Sequence, residues 1–319
     1  MTESPNPWSD RAFLRDVQYR TDANLAARQS MYAYQHPRIE LQPRVLDLAA
    51  PAPGETVADV GCGNGLYLAE LARRGFAGRV LGLDMSPGML SAARERLNAT
   101  AAPPRPSDPN AASSIGPPVP PAADPTGLPA AGPAGPLAAD ATGLLAADAT
   151  ALPVRDGAVD LALAMHMLYH VPDPAQAVRE LRRVTRPGGR VVIGLNGDDH
   201  LRELRDIVAA ARGDNRWGLR ERLTLDGGEA LARTCFTTVT RHDFVSELRI
   251  PDPEPVADYV RSMSGTQHSA DPELIVAAVV ARLPTAPATA TPATPATATP
   301  AAGAVFTVTT HAGCLICHS

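Results

Sequence analysis

Thr56-Val57-Ala58-Asp59-Val60-Gly61-Cys62-Gly63-Asn64-Gly65-Leu66-Tyr67 is the stretch that decides the fold. Thr56 to Val60 is a short apolar run of strand length. From Leu66 the apolar residues Leu66, Leu68, Ala69, Leu71 and Ala72 recur at helical spacing as far as Arg74. A strand that opens through a glycine turn into a helix presents free backbone N–H groups at the helix N-terminus, where a ligand can sit. Glycine at 61, 63 and 65 lets a ligand approach the backbone closely, and Asp59 supplies an acceptor for a cationic group. A dinucleotide fingerprint, G-x-G-x-x-G, would want glycine at position 66, and Leu66 stands there. The spacing is D-x-G-x-G-x-G; taken alone, it also fits a tight strand–helix turn that binds nothing.

Working outward, Arg79 to Leu83 reads as a second strand and Pro87 to Leu97 as a helix, with Ser86 as N-cap and Pro87 at its first position. Leu144 to Ala147 reads as a third strand whose apolar residues are expected to be buried. Val159 to Met165 is a fourth, followed by a helix from Pro174 to Val184 capped by Asp173. Arg186 to Gly189, "RPGG", reads as a tight turn into strand Arg190 to Leu195. Strands alternating with helices in this rhythm predict an α/β fold, a parallel sheet covered on both faces. Later in the chain, Thr238 to Ile250 and Val305 to Thr310 read as the last two strands, with a helix at Pro272 to Leu283 between them. Before the first strand, Arg11 to Tyr34 reads as an amphipathic helix able to close over the ligand edge. It lies within an N-terminal helical lid of residues 1–50, ahead of a main domain at 51–319.

Two stretches depart in composition. Thr100 to Gly143 is almost wholly Ala, Pro, Gly, Ser and Asp, and Pro284 to Ala304 is Ala, Thr and Pro. Neither can bury enough apolar surface to offset its chain entropy, so both are predicted to be disordered surface insertions. The first runs into a tandem repeat, LAADAT at Leu137–Thr142 and again at Leu145–Thr150.

The chain has 319 residues, 45% hydrophobic and 20% charged, as in a soluble globular protein. All 29 basic residues are arginine, and the net charge of −5 comes without any basic block, so neither nucleic acid nor a membrane surface is an expected partner. No window approaches the roughly 20 apolar residues of a membrane span. Four scattered cysteines do not make a disulfide framework, and a cytoplasmic protein is expected. Cys314-Leu315-Ile316-Cys317-His318 spells a haem-attachment motif, and His311 adds a metal-ligand type. Without export or a second Cys/His pair, these residues read instead as the last strand, with no metal expected.

Asp84 ends the second strand, where a carboxylate can accept from both hydroxyls of a ribose. Asp148-Ala149 follows the third strand, where a carboxylate can accept from an adenine amino group; Asp140 holds the same place in the first repeat copy. Asp148 is preferred, because a short loop leads from it to Val159. His166, Tyr169 and His170 cluster after the fourth strand as candidates for proton removal, or as plain packing residues.

Together, "VADVGCGNGLYLAEL", "VLGLDMSPGML", "AADATALPVRDGAVDLALAMHMLYHVPD" and "ELRRVTRPGGRVVIG" resemble the class I S-adenosylmethionine-dependent methyltransferases. The resemblance implies a Rossmann-like, doubly wound, mostly parallel sheet of seven strands with S-adenosylmethionine across its carboxyl edge. It implies Asp59 at the methionine ammonium and Gly61 and Gly63 under the methionine and ribose, with Cys62 and Gly65 in the same loop. Asp84 would take the ribose, Met85 would pack on adenine, Asp148 and Ala149 would meet its amino edge, and Met165 and His166 would line the methionine end. No N/D-P-P-Y tetrapeptide follows the fourth strand, and "HMLYHVPDP" resembles the branch that methylates small metabolites. A catalytically silent nucleoside binder on the same fold stays open, because methyl transfer needs no diagnostic catalytic residue. A nicotinamide-dependent oxidoreductase is disfavoured by Leu66.

Overall fold

A computed structural model describes residues 10–101, 142–213, 223–267, 269–284 and 305–319. Apart from their ends, the two predicted insertions, and Asp140 with them, lie outside the described residues.

Among the described residues eight strands form one sheet: β1 (Gln35–His36), β2 (Thr56–Val60), β3 (Arg79–Asp84), β4 (Thr142–Ala146), β5 (Val159–Met165), β6 (Thr185–Asn196), β7 (Thr238–Ile250) and β8 (Phe306–His318). Their order is β1-β7-β8-β6-β5-β2-β3-β4. The strands from β6 to β4 run parallel, while β8 pairs antiparallel with both β6 and β7. The α/β class and the doubly wound, mostly parallel sheet are as the sequence implies. The eighth strand is the two-residue β1, which pairs Gln35 with Leu248 and His36 with Glu247; so short a segment carries no periodicity to read.

The helices are α1 (Arg11–Phe13), α2 (Ala23–Ser30), α3 (Leu41–Ala49), α4 (Leu66–Arg73), α5 (Pro87–Ala101), α6 (Pro174–Val184), α7 (Arg202–Arg212), α8 (Leu225–Arg233), α9 (Glu254–Arg261), α10 (Ser264–Gln267) and α11 (Pro272–Val280). Their starts follow local chemistry. Asp173 accepts from the Gln176 N–H at 2.8 Å and Ser86 Oγ accepts from the Met89 N–H at 3.2 Å, each satisfying an otherwise orphaned donor.

Each face of the sheet buries its own core. On one lie Ala162, Ala164, Val191, Ile193 and Cys317 with Val178 and Leu181 of α6. On the other lie Leu161, Leu163, Val192 and Cys314 with Leu46 of α3 and Leu68 and Leu71 of α4. Burying one such leucine is worth about 1.5–3 kcal/mol, and β5, buried on both faces, reads as an uninterrupted apolar run for that reason. Cys314 and Cys317 are thus structural thiols on opposite faces of β8, unable to attach one haem.

Four expectations need correcting. Arg11–Tyr34 is not one helix: a π-helical turn at Leu14–Gln18 ends at Tyr19, α2 begins at Ala23, and Met31–Tyr34 is a 3-10 turn. Tertiary contacts hold the break, since Ser86 Oγ donates to the Tyr19 carbonyl at 2.7 Å and a Cβ on Gly88 would strike the Arg20 carbonyl. The third strand starts two residues earlier than Leu144, with Thr142 paired to Val80 and Gly143 to Leu81. Nor is that strand buried: β4 is the sheet edge, and Leu145 is 47% exposed. Finally, Arg186–Gly189 is a bulge within β6, because β5 pairs Val159 with Thr185 and then Leu161 with Arg190.

Candidate active site

The chain runs outward from β2 through β3 to β4, then returns to β5 on the other side of β2. At such a switch point an open α/β sheet takes its ligand in the crevice outside the carboxyl ends of its strands. The glycine loop and residues 166–170 flank it.

The loop after β2 is held from below, the N–H groups of Gly61 and Cys62 both donating to the Leu83 carbonyl at 2.7 and 3.0 Å. Gly61 has φ 69°, and a Cβ there would lie 2.7 Å from Met167 Cβ, so only glycine lets the loop and the segment after β5 meet. Gly65 has φ 78° and starts α4 against α5, with 2.9 Å between its absent Cβ and that of Ala93.

Three buried polar atoms near this loop have no hydrogen-bond partner among the described residues: Asp59 Oδ2, Asn64 Nδ2 and Tyr67 Oη. Leaving such a group unpaired costs about 1–3 kcal/mol each, more for a charge. Three together around one glycine loop mark a place shaped for a polar ligand. Burial, reinforced by the neighbouring charge of Asp84, pushes the Asp59 carboxyl up to about 7. Burial also raises Asp84, although its carboxylate accepts from the Gly63 N–H at 2.9 Å and the Ser86 N–H at 2.8 Å. Burial, with Asp59 and Asp84 nearby, raises the Cys62 thiol, which is a neutral wall of the loop.

His166 follows β5 with φ 55°, a strained value for a residue with a Cβ, and donates its N–H to the Gly194 carbonyl at 2.9 Å. Burial pushes its imidazole down to about 4, so it is neutral at physiological pH. His170 Nε2 lies 2.9 Å from Tyr19 Oη, and the Tyr169 and His170 rings meet edge-on at 4.6 Å. Met165 packs over Gly194 in the sheet core, and Met85 is half-buried beside Asp84. Asp148 sits two residues past β4; its Oδ1 accepts from Thr150 and its Oδ2 pairs with Arg11 at 2.6 Å, while Ala149 is buried behind it. Residues from outside the motifs make further contacts around these segments. Leu25 lies over Gly63, Tyr19 reaches His170, and Tyr32 hydroxyl meets His200 Nε2 at 3.1 Å. No local pattern could assign these, because each acts through a fold contact more than 50 residues away in the chain except where Leu25 meets the loop.

The model of the methyltransferase domain family matches residues 34–249 of the chain. The protein belongs to the class I S-adenosylmethionine-dependent methyltransferases. An uncharacterized methyltransferase of Mycobacterium tuberculosis is 28% identical over 249 residues, covering 77% of this chain and 79% of that one. An uncharacterized 37.1 kDa transposon protein of Streptomyces fradiae is 34% identical over 151 residues, 47% of this chain and 32% of that protein's length. A Haemonchus contortus N-methyltransferase, solved with phosphomonomethylethanolamine and S-adenosylhomocysteine, shares the fold at a TM-score of 0.51 and 14% identity, over 98% of this chain and 60% of that one. The methyl donor of this methyltransferase is S-adenosylmethionine, and its residues fit that molecule: an unpaired buried carboxylate for an ammonium, and a glycine loop open to close backbone approach. Among the described residues, no helix is long and apolar enough to cross a membrane.

Proposed function

We propose that this methyltransferase acts on a small-molecule acceptor by in-line displacement. When bound, S-adenosylmethionine supplies a methyl carbon already activated by its sulfonium. The chain's own part is alignment and exclusion of water. Asp59 would take the methionine ammonium, which removes the cost of its unpaired Oδ2. Gly61 and Gly63, with Cys62 and Gly65, would form the floor. Asp84 has lone pairs left after bracing Gly63 and Ser86, and these would accept from the ribose hydroxyls. Met85 would cover adenine, and Asp148 with Ala149 would meet its amino edge. His166 would face the methionine end, and its neutral imidazole can accept a proton, as can the imidazole of His170 beside it, whereas Tyr169 could do so only as its phenolate.

The observation that carries this reading is the group of three unpaired buried polar atoms around the glycine loop. The small acceptor is supported by the N-terminal segment, which we read as a lid within residues 1–50. It touches the carboxyl edge at Arg11–Asp148, Tyr19–His170, Tyr19–Ser86 and Leu25–Gly63. A cover held at four points admits a compact molecule more readily than a folded macromolecule. A cytoplasmic location, from cysteines without disulfides, belongs to the same proposal. Calorimetry tests it: S-adenosylhomocysteine is expected to bind in the micromolar range and NAD not measurably. Tighter binding of NAD would overturn the methyl-transfer reading.

A further inference from the structure

Arg28, on α2, is half-buried with its guanidinium desolvated, and it has no counter-ion among the described residues. Its Nε donates to the Asn24 carbonyl at 3.1 Å, its Nη1 reaches Tyr19 Oη only at 3.5 Å, and its guanidinium carbon lies 5.5 Å from the Tyr19 ring centroid. Nη2 is buried and has no hydrogen-bond partner among the described residues. Burial works against its charge, but Tyr19, Tyr259 and Tyr169 around it outweigh that, and the group stays cationic. A desolvated cation with no carboxylate partner among the described residues is costly unless something else supplies the negative charge.

Its position says what that something would be part of. Leu25, one turn earlier on the same face of α2, lies over Gly63 of the ligand loop. Tyr19, under the guanidinium, bonds His170 after β5. Tyr32, one turn later, stacks on His200 with ring centroids 6.5 Å apart. Arg28 therefore stands between the glycine loop and the His-bearing segments after β5 and β6. The cofactor's own carboxylate is a poor match. It sits one carbon from the ammonium, so a methionine group anchored at Asp59 would bring Arg28 beside Asp59. The charge that perturbs Asp59 is Asp84, and the groups around Arg28 are tyrosines.

We propose that Arg28 is the anion receptor for the methyl acceptor, and that the acceptor is a small molecule bearing a carboxylate, held at the unused Nη2 among Tyr19, Tyr169 and Tyr259. This rests on the methyltransferase reading of the site. One guanidinium with one free nitrogen suits the single charge of a carboxylate, which it can meet in its own plane. An unpaired buried charge that destabilises the empty protein is what a residue kept for binding shows, and a structural arginine does not.

The test uses the full-length chain saturated with S-adenosylhomocysteine and two probes of one shape, benzoate and benzamide, followed by melting temperature and calorimetry. Benzoate is expected to raise the melting temperature in a dose-dependent way and benzamide is not. Arg28→Gln should weaken benzoate at least tenfold, keep S-adenosylhomocysteine affinity within about threefold, and melt no lower than wild type without ligand. Arg28→Lys should retain a weaker preference for benzoate over benzamide, and it decides the matter together with wild type if the Gln variant does not fold. Equal or absent responses to the two probes in wild type would overturn the proposal. So would a loss of S-adenosylhomocysteine affinity of tenfold or more in Arg28→Gln, which would give Arg28 to the cofactor's carboxylate. Failure of wild type to bind S-adenosylhomocysteine at all would instead remove the methyltransferase reading beneath it.

Discussion

Cofactor affinity should rise with pH through the titration of Asp59. In the empty protein burial and the charge of Asp84 hold this carboxyl at about 7, so near neutrality it is about half protonated. An ammonium bound against it favours the ionised form and returns its pKa toward the usual carboxylate range. Binding below pH 7 must therefore expel a proton, at a cost that grows as pH falls. The ionised fraction is about 3% at pH 5.5 and about 50% at pH 7, so affinity should climb about fifteenfold across that interval, roughly 1.6 kcal/mol. Asp59 and Asp84 interact, so the step belongs to the pair of carboxylates. The assay is calorimetry with S-adenosylhomocysteine at several pH values, in buffers of low and high ionisation enthalpy, which counts the protons released. Asp59→Asn should bind more weakly at pH 7 and lose the slope, and it also shows any titration belonging to the ligand. An affinity that is flat from pH 5.5 to 7 in wild type, with no proton release, would refute the assignment of Asp59 to a bound ammonium.

Other perturbations separate local from tertiary causes. Gly65→Ala must hold alanine at φ 78° and drive its Cβ to within 2.9 Å of Ala93 Cβ. Left-handed strain and overpacking together should cost about 2–4 kcal/mol, a drop of roughly 5–10 °C in melting temperature; an unchanged melting curve would contradict the tight α4–α5 approach. Asp148→Asn should weaken S-adenosylhomocysteine while Asp140→Asn leaves it unchanged, and the reverse outcome would shift the adenine partner by one repeat. In His311, burial opposes the charge, but hydrogen bonds to Asp243 at 2.7 Å and Asp199 at 2.6 Å raise its pKa overall. The stability this lends is present below about pH 6.5, the unperturbed value, and is lost as pH rises through the raised one. Wild type should therefore lose more melting temperature than His311→Gln between pH 6.5 and 8.5, and parallel curves would show the network to be inert.

Much of this architecture is written locally. The bounds of β2, β5 and β7 and the caps at Ser86 and Asp173 follow from short-range rules: period, glycine φ and orphaned N–H groups. The glycine loop is legible for the same reason, since Gly61 and Gly65 at positive φ are a steric fact carried by the residue itself. Asp59 and Asp84 follow from it, because they stand at fixed places on the strands that lead to the crevice. Nothing in the neighbouring sequence told that Asp59 would be unpaired, that β4 would be an exposed edge, or that β8 would insert between β6 and β7. Nor could the sequence assemble Arg28, Tyr19, His170 and Tyr259 in one place, from segments up to 240 positions apart by their own numbering. Strand and helix boundaries depend on residues a few positions apart, which the chain cannot separate. Desolvation, edge exposure and the meeting of distant side chains depend on what the finished packing brings alongside, and only the tertiary structure decides that.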